Sequence, residues 1–307
     1  MNQILIPTVA KFPKDIEKSW ALAKSIVGYH SGLMLLIQNG MQGVFGGDAE
    51  VQKQNLQSFA EEYGDNLIVV MLSNIPIWDV DFFHNTDGAL AHVKGGVDFA
   101  KSLGVGGKKV VTFHLNTLLN PGEFLKTSLN FKKIFDERIA PVLLEVSEYA
   151  SKNGVELNVE TVPNPEFGDL AVTDEREYLG TKLRDLRNPY LISWDASIVS
   201  FHKLRELGLG ICLDMCHSQM LGVDLLEEVK NLLPTDLVHL NDGSGEFTEE
   251  GGCFKEGVTL GEGDISNLSE IIKELNKKNI PMVLEINETD FVNRPNTKTS
   301  IEFLLKI

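Results

Sequence analysis

Two kinds of hydrophobic pattern take turns along the chain. Short, nearly continuous apolar runs are followed by polar punctuation, then by stretches with apolar positions every three or four residues. The first pattern recurs eight times, at 4–9 (ILIPTV), 33–38 (LMLLIQ), 67–72 (LIVVML), 110–115 (VVTFHL), 156–161 (ELNVET), 210–215 (GICLDM), 237–241 (LVHLN) and 282–287 (MVLEIN). Runs that do not alternate with polar residues suit parallel strands covered by helices. The second pattern predicts helices over 15–29, 51–63, 89–103, 139–152, 225–233, 265–277 and 297–305. Gly64, Gly104 and Asn153-Gly154 mark helix ends, and Asp264 is placed to cap the start of 265–277.

Eight strand-then-helix units predict a single α/β (β/α)₈ TIM barrel, with residues 1–307 forming one domain. The rhythm loosens between the fifth and sixth strands, where 161–209 reads as a decorated connection carrying helices over 173–186 and 196–207. The first residues, MNQILIPTVAKFPKD, lack a basic leader with an apolar core and read as a first strand. No run approaches about 18 consecutive apolar residues, so no spanning helix is expected. Three cysteines form no disulfide framework, which fits a cytoplasmic location.

Charge narrows the partners. The formal net charge is −16, from 44 acidic and 28 basic residues, a field that repels phosphate backbones and anionic membranes. No run of Lys and Arg offsets it, so neither nucleic acid nor membrane is the expected partner.

The chemistry lies where polar residues interrupt the apolar runs. In a barrel of this type the active site sits at the C-terminal ends of the strands. The fourth run ends in His114, the fifth contains Glu160, and the sixth carries Asp214 with His217 just beyond. The seventh carries His239 with Asp242 beyond, and the eighth contains Glu285. Any one of these could be a hydrogen-bonded core residue. Several carboxylates at one barrel mouth repel each other, and a divalent cation is the simplest way to keep them ionised together. Asn116 and Asn164 are candidates for binding hydroxyls or for satisfying turns. Trp78, Phe82, Phe83 and His84 are placed to cover a substrate or to pack a loop. Cys212 and Cys216 read as packing residues, since soft thiolates suit a carboxylate site poorly.

The phrases VVTFHLN, LNVETVPNP, GICLDMCHSQM, LVHLNDGSG, TLGEGDI and MVLEINE resemble the xylose isomerase-like barrel superfamily. That group includes sugar isomerases and epimerases, inosose dehydratases and type-2 apurinic endonucleases. The resemblance implies that Glu160, Asp214, His239 and Glu285 hold one divalent ion (Mn²⁺, Mg²⁺, Co²⁺ or Zn²⁺). It also implies that Glu160 and Glu285 act as catalytic acid and base, and that His217 holds substrate or, in the nuclease branch, a further metal, where His114 would be a metal ligand too. His114 and Asn116 join His217 as expected substrate contacts, and homo-oligomers are common among such proteins. The expected function is isomerisation or epimerisation of a small sugar, polyol or related hydroxy-carbonyl compound. A dehydratase or lyase would use the same chemistry. The other readings are an endonuclease-like phosphodiesterase and a barrel that binds a small molecule without turnover. The nuclease pattern needs further ligands at the end of the third strand and in an Asp-x-His triplet before Gly-x-Gly. Here those stretches read MLSNIPIW and Lys255-Glu256-Gly257-Val258-Thr259-Leu260.

Overall fold

In the computed structural model, residues 2–9, 13–37, 57, 66–72, 81–104, 107–119, 130, 132–162, 177–178, 181–182, 190–193, 201–220, 223–244, 255–288, 290 and 293–307 are described. Eight parallel strands close into a barrel: β1 (Gln3–Val9), β2 (His30–Ile37), β3 (Ile68–Leu72), β4 (Lys109–Phe113), β5 (Glu156–Glu160), β6 (Gly210–Asp214), β7 (Leu237–Leu240) and β8 (Met282–Leu284). Each pairs with its neighbours in sequence, and β1 pairs with β8 to complete the ring. All eight coincide with the predicted apolar runs.

The described helices are α1 (Pro13–Ser25), α2 (Thr86–Ser102), α3 (Ala140–Lys152), α4 (Phe201–Glu206), α5 (Met215–Met220), α6 (Leu225–Asn231), α7 (Leu268–Lys278) and α8 (Pro295–Leu304). A π-turn over Phe135–Ile139 leads into α3. The strand faces explain the uninterrupted apolar runs. Outward residues such as Leu157, Val159, Ile211, Leu213, Val238 and Leu240 join helix residues in a large outer core. Inward residues Leu5, Met34, Leu67, Val69, Met71, Val110, Cys212, Leu237 and Val283 form a second, interior cluster. Neither strand face meets water, so both stay largely apolar.

Three expectations change. The helix expected over 173–186 is contradicted where that stretch is described. Glu177–Tyr178 and Thr181–Lys182 pair as antiparallel strands, with Tyr178 opposite Thr181. The one breaker in the stretch, Gly180, was outweighed by leucines at helical spacing, Leu179, Leu183 and Leu186. Asp264 does not cap α7. The cap is Asn267, held at φ +60°, a conformation Asn tolerates better than most residues. Asn116 lies not in a barrel loop but at the start of a short strand, Asn116–Leu119, paired antiparallel with Tyr190–Ser193. The helix expected over 51–63 lies outside the described residues apart from Gln57, as do Trp78 and Asn164.

Candidate metal centre

Strand alternation aims the chemistry inward. On β5, Asn158 and Glu160 share the interior face, since Leu157 and Val159 belong to the outer core. On β6 the interior face carries Cys212 and Asp214, on β7 Leu237 and His239, and beyond β8 Val283 is followed two residues later by Glu285. The register staggers these groups: Glu160 lies beside Cys212, Asp214 beside His239, and His239 beside Val283. Strands in such a barrel tilt by about 36°, so equal height moves up roughly one residue per strand. The stagger cancels the tilt. Ligating atoms of Glu160, Asp214, His239 and Glu285 consequently lie within 4.8 Å of one another.

His239 Nδ1 is the centre of the group. It lies 2.7 Å from Glu285 Oε2, 3.2 Å from Glu160 Oε1 and 3.7 Å from Asp214 Oδ2. The imidazole is wholly buried, yet neither ring nitrogen makes a well-aligned hydrogen bond among the described residues. Buried polar atoms are seldom left without a partner. A nitrogen so placed, facing three carboxylate oxygens, fits a divalent cation bound by mixed O and N donors.

The charges are balanced across the cluster. Burial pushes the Glu160 carboxyl up, but His114 and His239 outweigh it and hold it well below its ordinary value. Asp214 is likewise lowered against its burial, through His217 and a contact with His239. Burial disfavours a charged His239, yet the Cys212 sulfur and the Glu285 and Glu160 carboxylates raise it well above 6.5. His217 is raised to about 10: burial opposes its charge, while Asp214, Glu256 and Glu160 favour it. Histidines and carboxylates thus offset one another's burial across the cluster. Burial pushes the Cys212 thiol up to about 12 and the Cys216 thiol up further, as suits packing residues.

Neighbouring side chains orient these groups. Asp214 Oδ1 accepts from the His217 backbone N–H at 2.8 Å, at the start of α5, and its Oδ2 accepts from Asn241 Nδ2 at 2.9 Å. The Asn241 carbonyl oxygen in turn accepts from Cys216 N at 3.1 Å. Thr161 Oγ1 accepts from Asp214 N at 2.9 Å. His114 Nε2 lies 2.7 Å from Glu160 Oε2, so this histidine reaches the cluster through the glutamate. His217 Nδ1 donates to the Thr161 carbonyl at 2.8 Å, which turns Nε2 toward Glu256 Oε1, 3.7 Å away.

Asp242 is different. Its Oδ1 accepts from Gly243 and Ile265 N–H groups and its Oδ2 from Gly261 and Gly263, at 2.9–3.1 Å. A Cβ on Gly263 would come 2.3 Å from Asp242 Oδ1. This buried carboxylate therefore folds the Gly-Glu-Gly segment and is not part of the cluster. The expected residues His114, Glu160, Asp214, His217, His239 and Glu285 are brought together, while the Asn116 side chain lies outside what is described. Sequence reasoning gave no role to Thr161 and Asn241. Each is one or two residues beyond a predicted ligand, the only signal they offered.

The chain is thus a closed parallel (β/α)₈ barrel with a carboxylate-histidine cluster at its C-terminal mouth that could hold a metal ion. The family model for the xylose isomerase-like TIM barrel matches residues 31–307, and the chain belongs to that family. Solved structures similar to it include an L-ribulose 3-epimerase, at 14% identity and a TM-score of 0.65, covering 100% of this chain and 94% of that one. Another is an IOLI protein with a binding zinc atom, at 17% identity and a TM-score of 0.54, covering 100% and 96%. At these identities the likeness establishes the fold. A probable endonuclease 4 of Nitrosopumilus maritimus (strain SCM1) is 35% identical over 91 residues, covering 25% of this chain and 31% of the relative. The chain thus spans about a third of that relative's length.

Proposed function

We propose that the protein is a divalent-metal-dependent isomerase or epimerase of a sugar, polyol or related hydroxy-carbonyl compound, its 307 residues forming one domain. The observation that carries this is the convergence of Glu160, from β5, and Glu285, just past β8, upon His239 Nδ1, which makes no well-aligned hydrogen bond among the described residues. A divalent ion held by Glu160, Asp214, His239 and Glu285 would supply Lewis acidity to a carbonyl and its neighbouring hydroxyl. One glutamate removes the proton from the carbon beside the carbonyl. The C–H electron pair becomes the C=C bond of an enediolate as the carbonyl π pair moves onto oxygen, and the other glutamate, protonated beforehand, returns its proton to the opposite face of the carbon. His114 holds the second oxygen of Glu160, so that glutamate keeps a fixed orientation while it exchanges its proton. His217, fixed by the Thr161 carbonyl, presents Nε2 to a substrate oxygen. The L-ribulose 3-epimerase and the zinc-binding IOLI protein among the similar folds support the reading.

The 91-residue likeness to an endonuclease favours a second reading, a metal-dependent phosphodiesterase. Against it stand Lys255 and Gly257 where the nuclease pattern has Asp and His, and the acidic charge of the chain. Metal analysis by inductively coupled plasma separates the two. About one divalent ion per chain, lost in an Asp214→Ala, His239→Ala variant that still folds, is the expected result. Two or three zinc ions per chain, with cleavage of abasic duplex DNA, would replace the isomerase by the nuclease. No ion retained after add-back of each candidate would remove both.

A further inference from the structure

Glu256 sits on the strand Lys255–Val258, which pairs antiparallel with Asp242–Ser244 just past β7. This ribbon is pinned on two sides. Asp242 gathers the backbone that follows it. Asn287, two residues beyond Glu285, donates from its backbone N–H to the Gly257 carbonyl at 2.7 Å and from Nδ2 to the Glu256 carbonyl. Gly257 has φ +65°, and a Cβ there would meet Asn287 Nδ2 at 2.9 Å. Strand alternation sends Lys255 to the face opposite Glu256. The Glu256 side chain is 52% exposed, with Oε1 3.7 Å from His217 Nε2.

That separation is too long for a direct hydrogen bond and leaves room for substrate groups between the two. With Nδ1–H committed to the Thr161 carbonyl, Nε2 and Oε1 suit two neighbouring hydroxyls, one donating to the carboxylate and the other pairing with Nε2 whether or not it carries a proton. Hydroxyls can donate or accept. A phosphate dianion can only accept, and would meet the Glu256 charge. Phosphate groups are ordinarily bound by Arg, Lys or backbone N–H groups. Glu160, Asp214, Glu256 and Glu285 have histidines as their ion-pair partners and no Lys or Arg among the described residues.

We infer that Glu256 and His217 together form a hydroxyl clamp at the mouth of the barrel, selecting an unphosphorylated polyhydroxy substrate over its phosphate ester. The inference rests on the proposed isomerase reading and deepens it. It is tested by calorimetric titration of the Mn²⁺-loaded protein with a panel of free ketoses and aldoses and their terminal monophosphates, with turnover measured separately. Wild type should bind at least one free sugar, and each monophosphate at least ten-fold more weakly than its parent. Glu256→Gln should weaken that sugar about ten-fold without changing metal content. Glu256→Lys should narrow or reverse the discrimination against the phosphate. A monophosphate bound more tightly than its free sugar, no binding of either class, or an unchanged Glu256→Gln variant would each overturn the clamp. Discrimination without turnover of any sugar would leave the clamp standing and remove the isomerase reading. Turnover with phosphate preference would do the reverse.

Discussion

Strands β1–β4 and strands β5–β8 close one ring but fill its interior differently. The first half contributes Leu5, Met34, Leu67, Val69, Met71 and Val110. The second contributes Glu160, Asp214 and His239, with Glu285 just past β8, above a floor of Cys212, Leu237 and Val283. Among the cluster residues, His114 alone comes from the first half, and it touches Glu160 across the β4–β5 seam. Charged groups in a low-dielectric interior are tolerable when each has an opposite charge beside it. Contiguous strands help the cluster meet that condition: Asp214 lies in register beside His239, and His114 and His239 both reach Glu160. The apolar half gives the wall that keeps water away and makes those pairings strong. Stability and chemistry are thus drawn from opposite sides of one barrel.

The comparison can be broken from either side. Glu160→Gln or Glu285→Gln should lower turnover of whichever sugar proves to be substrate by about 10²–10⁴-fold, with little change in the circular dichroism spectrum. Met34→Ala in the apolar half should do the converse, costing about 2–5 kcal/mol in denaturant unfolding while metal content per chain stays unchanged. Asp242→Ala would strand four backbone N–H groups and should cost at least about 3 kcal/mol, read as a lower unfolding midpoint. Asn241→Leu removes a group that orients Asp214 and should weaken metal affinity about 10–100-fold, measured by chelator competition.

A pH series sharpens the same contrast. His239 is raised well above 6.5 in the metal-free protein and must lose its proton to coordinate, so metal affinity should rise with pH and proton release should accompany binding. His217, raised to about 10, stabilises the metal-free fold fully below 6.5 and loses that contribution as pH climbs through about 10. Glu160 and Asp214, both lowered, stabilise it above their ordinary values and lose that contribution in acid. Calorimetry of metal-free protein should therefore show Tm falling toward both extremes. A flat profile from pH 7 to 10 would contradict the His217 assignment.

The eight strands were legible because burial on both faces leaves an uninterrupted apolar run, and because a Glu, Asp or His inside such a run has few structural excuses. The cluster was legible for the same reason, since each of its members ends or follows a run. Asp242 looked equivalent by position. Only the fold shows its carboxylate occupied by four backbone donors. Glu256 was visible only within the Lys255-Glu256-Gly257 stretch that departs from the nuclease pattern, and its place beside His217 depends on a ribbon register and on Asn287, neither of which local pattern encodes. The strand pair at Glu177–Tyr178 and Thr181–Lys182 was misread because leucines at helical spacing outweighed a single glycine. No helix among the described residues is long and apolar enough to cross a membrane, as the sequence suggested.

Closure between β1 and β8 has a kinetic corollary. Leu5 pairs with Val283, so the ring is sealed by a contact between residues near opposite ends of the chain. Contacts of such long sequence separation are entropically late and slow folding. Glu285 follows the sealing strand directly, so during synthesis the cluster stays one carboxylate short until the last strand leaves the ribosome. Completion of the cluster and barrel closure then become one terminal event, and a chain stalled before residue 282 could neither seal its wall nor finish its pocket.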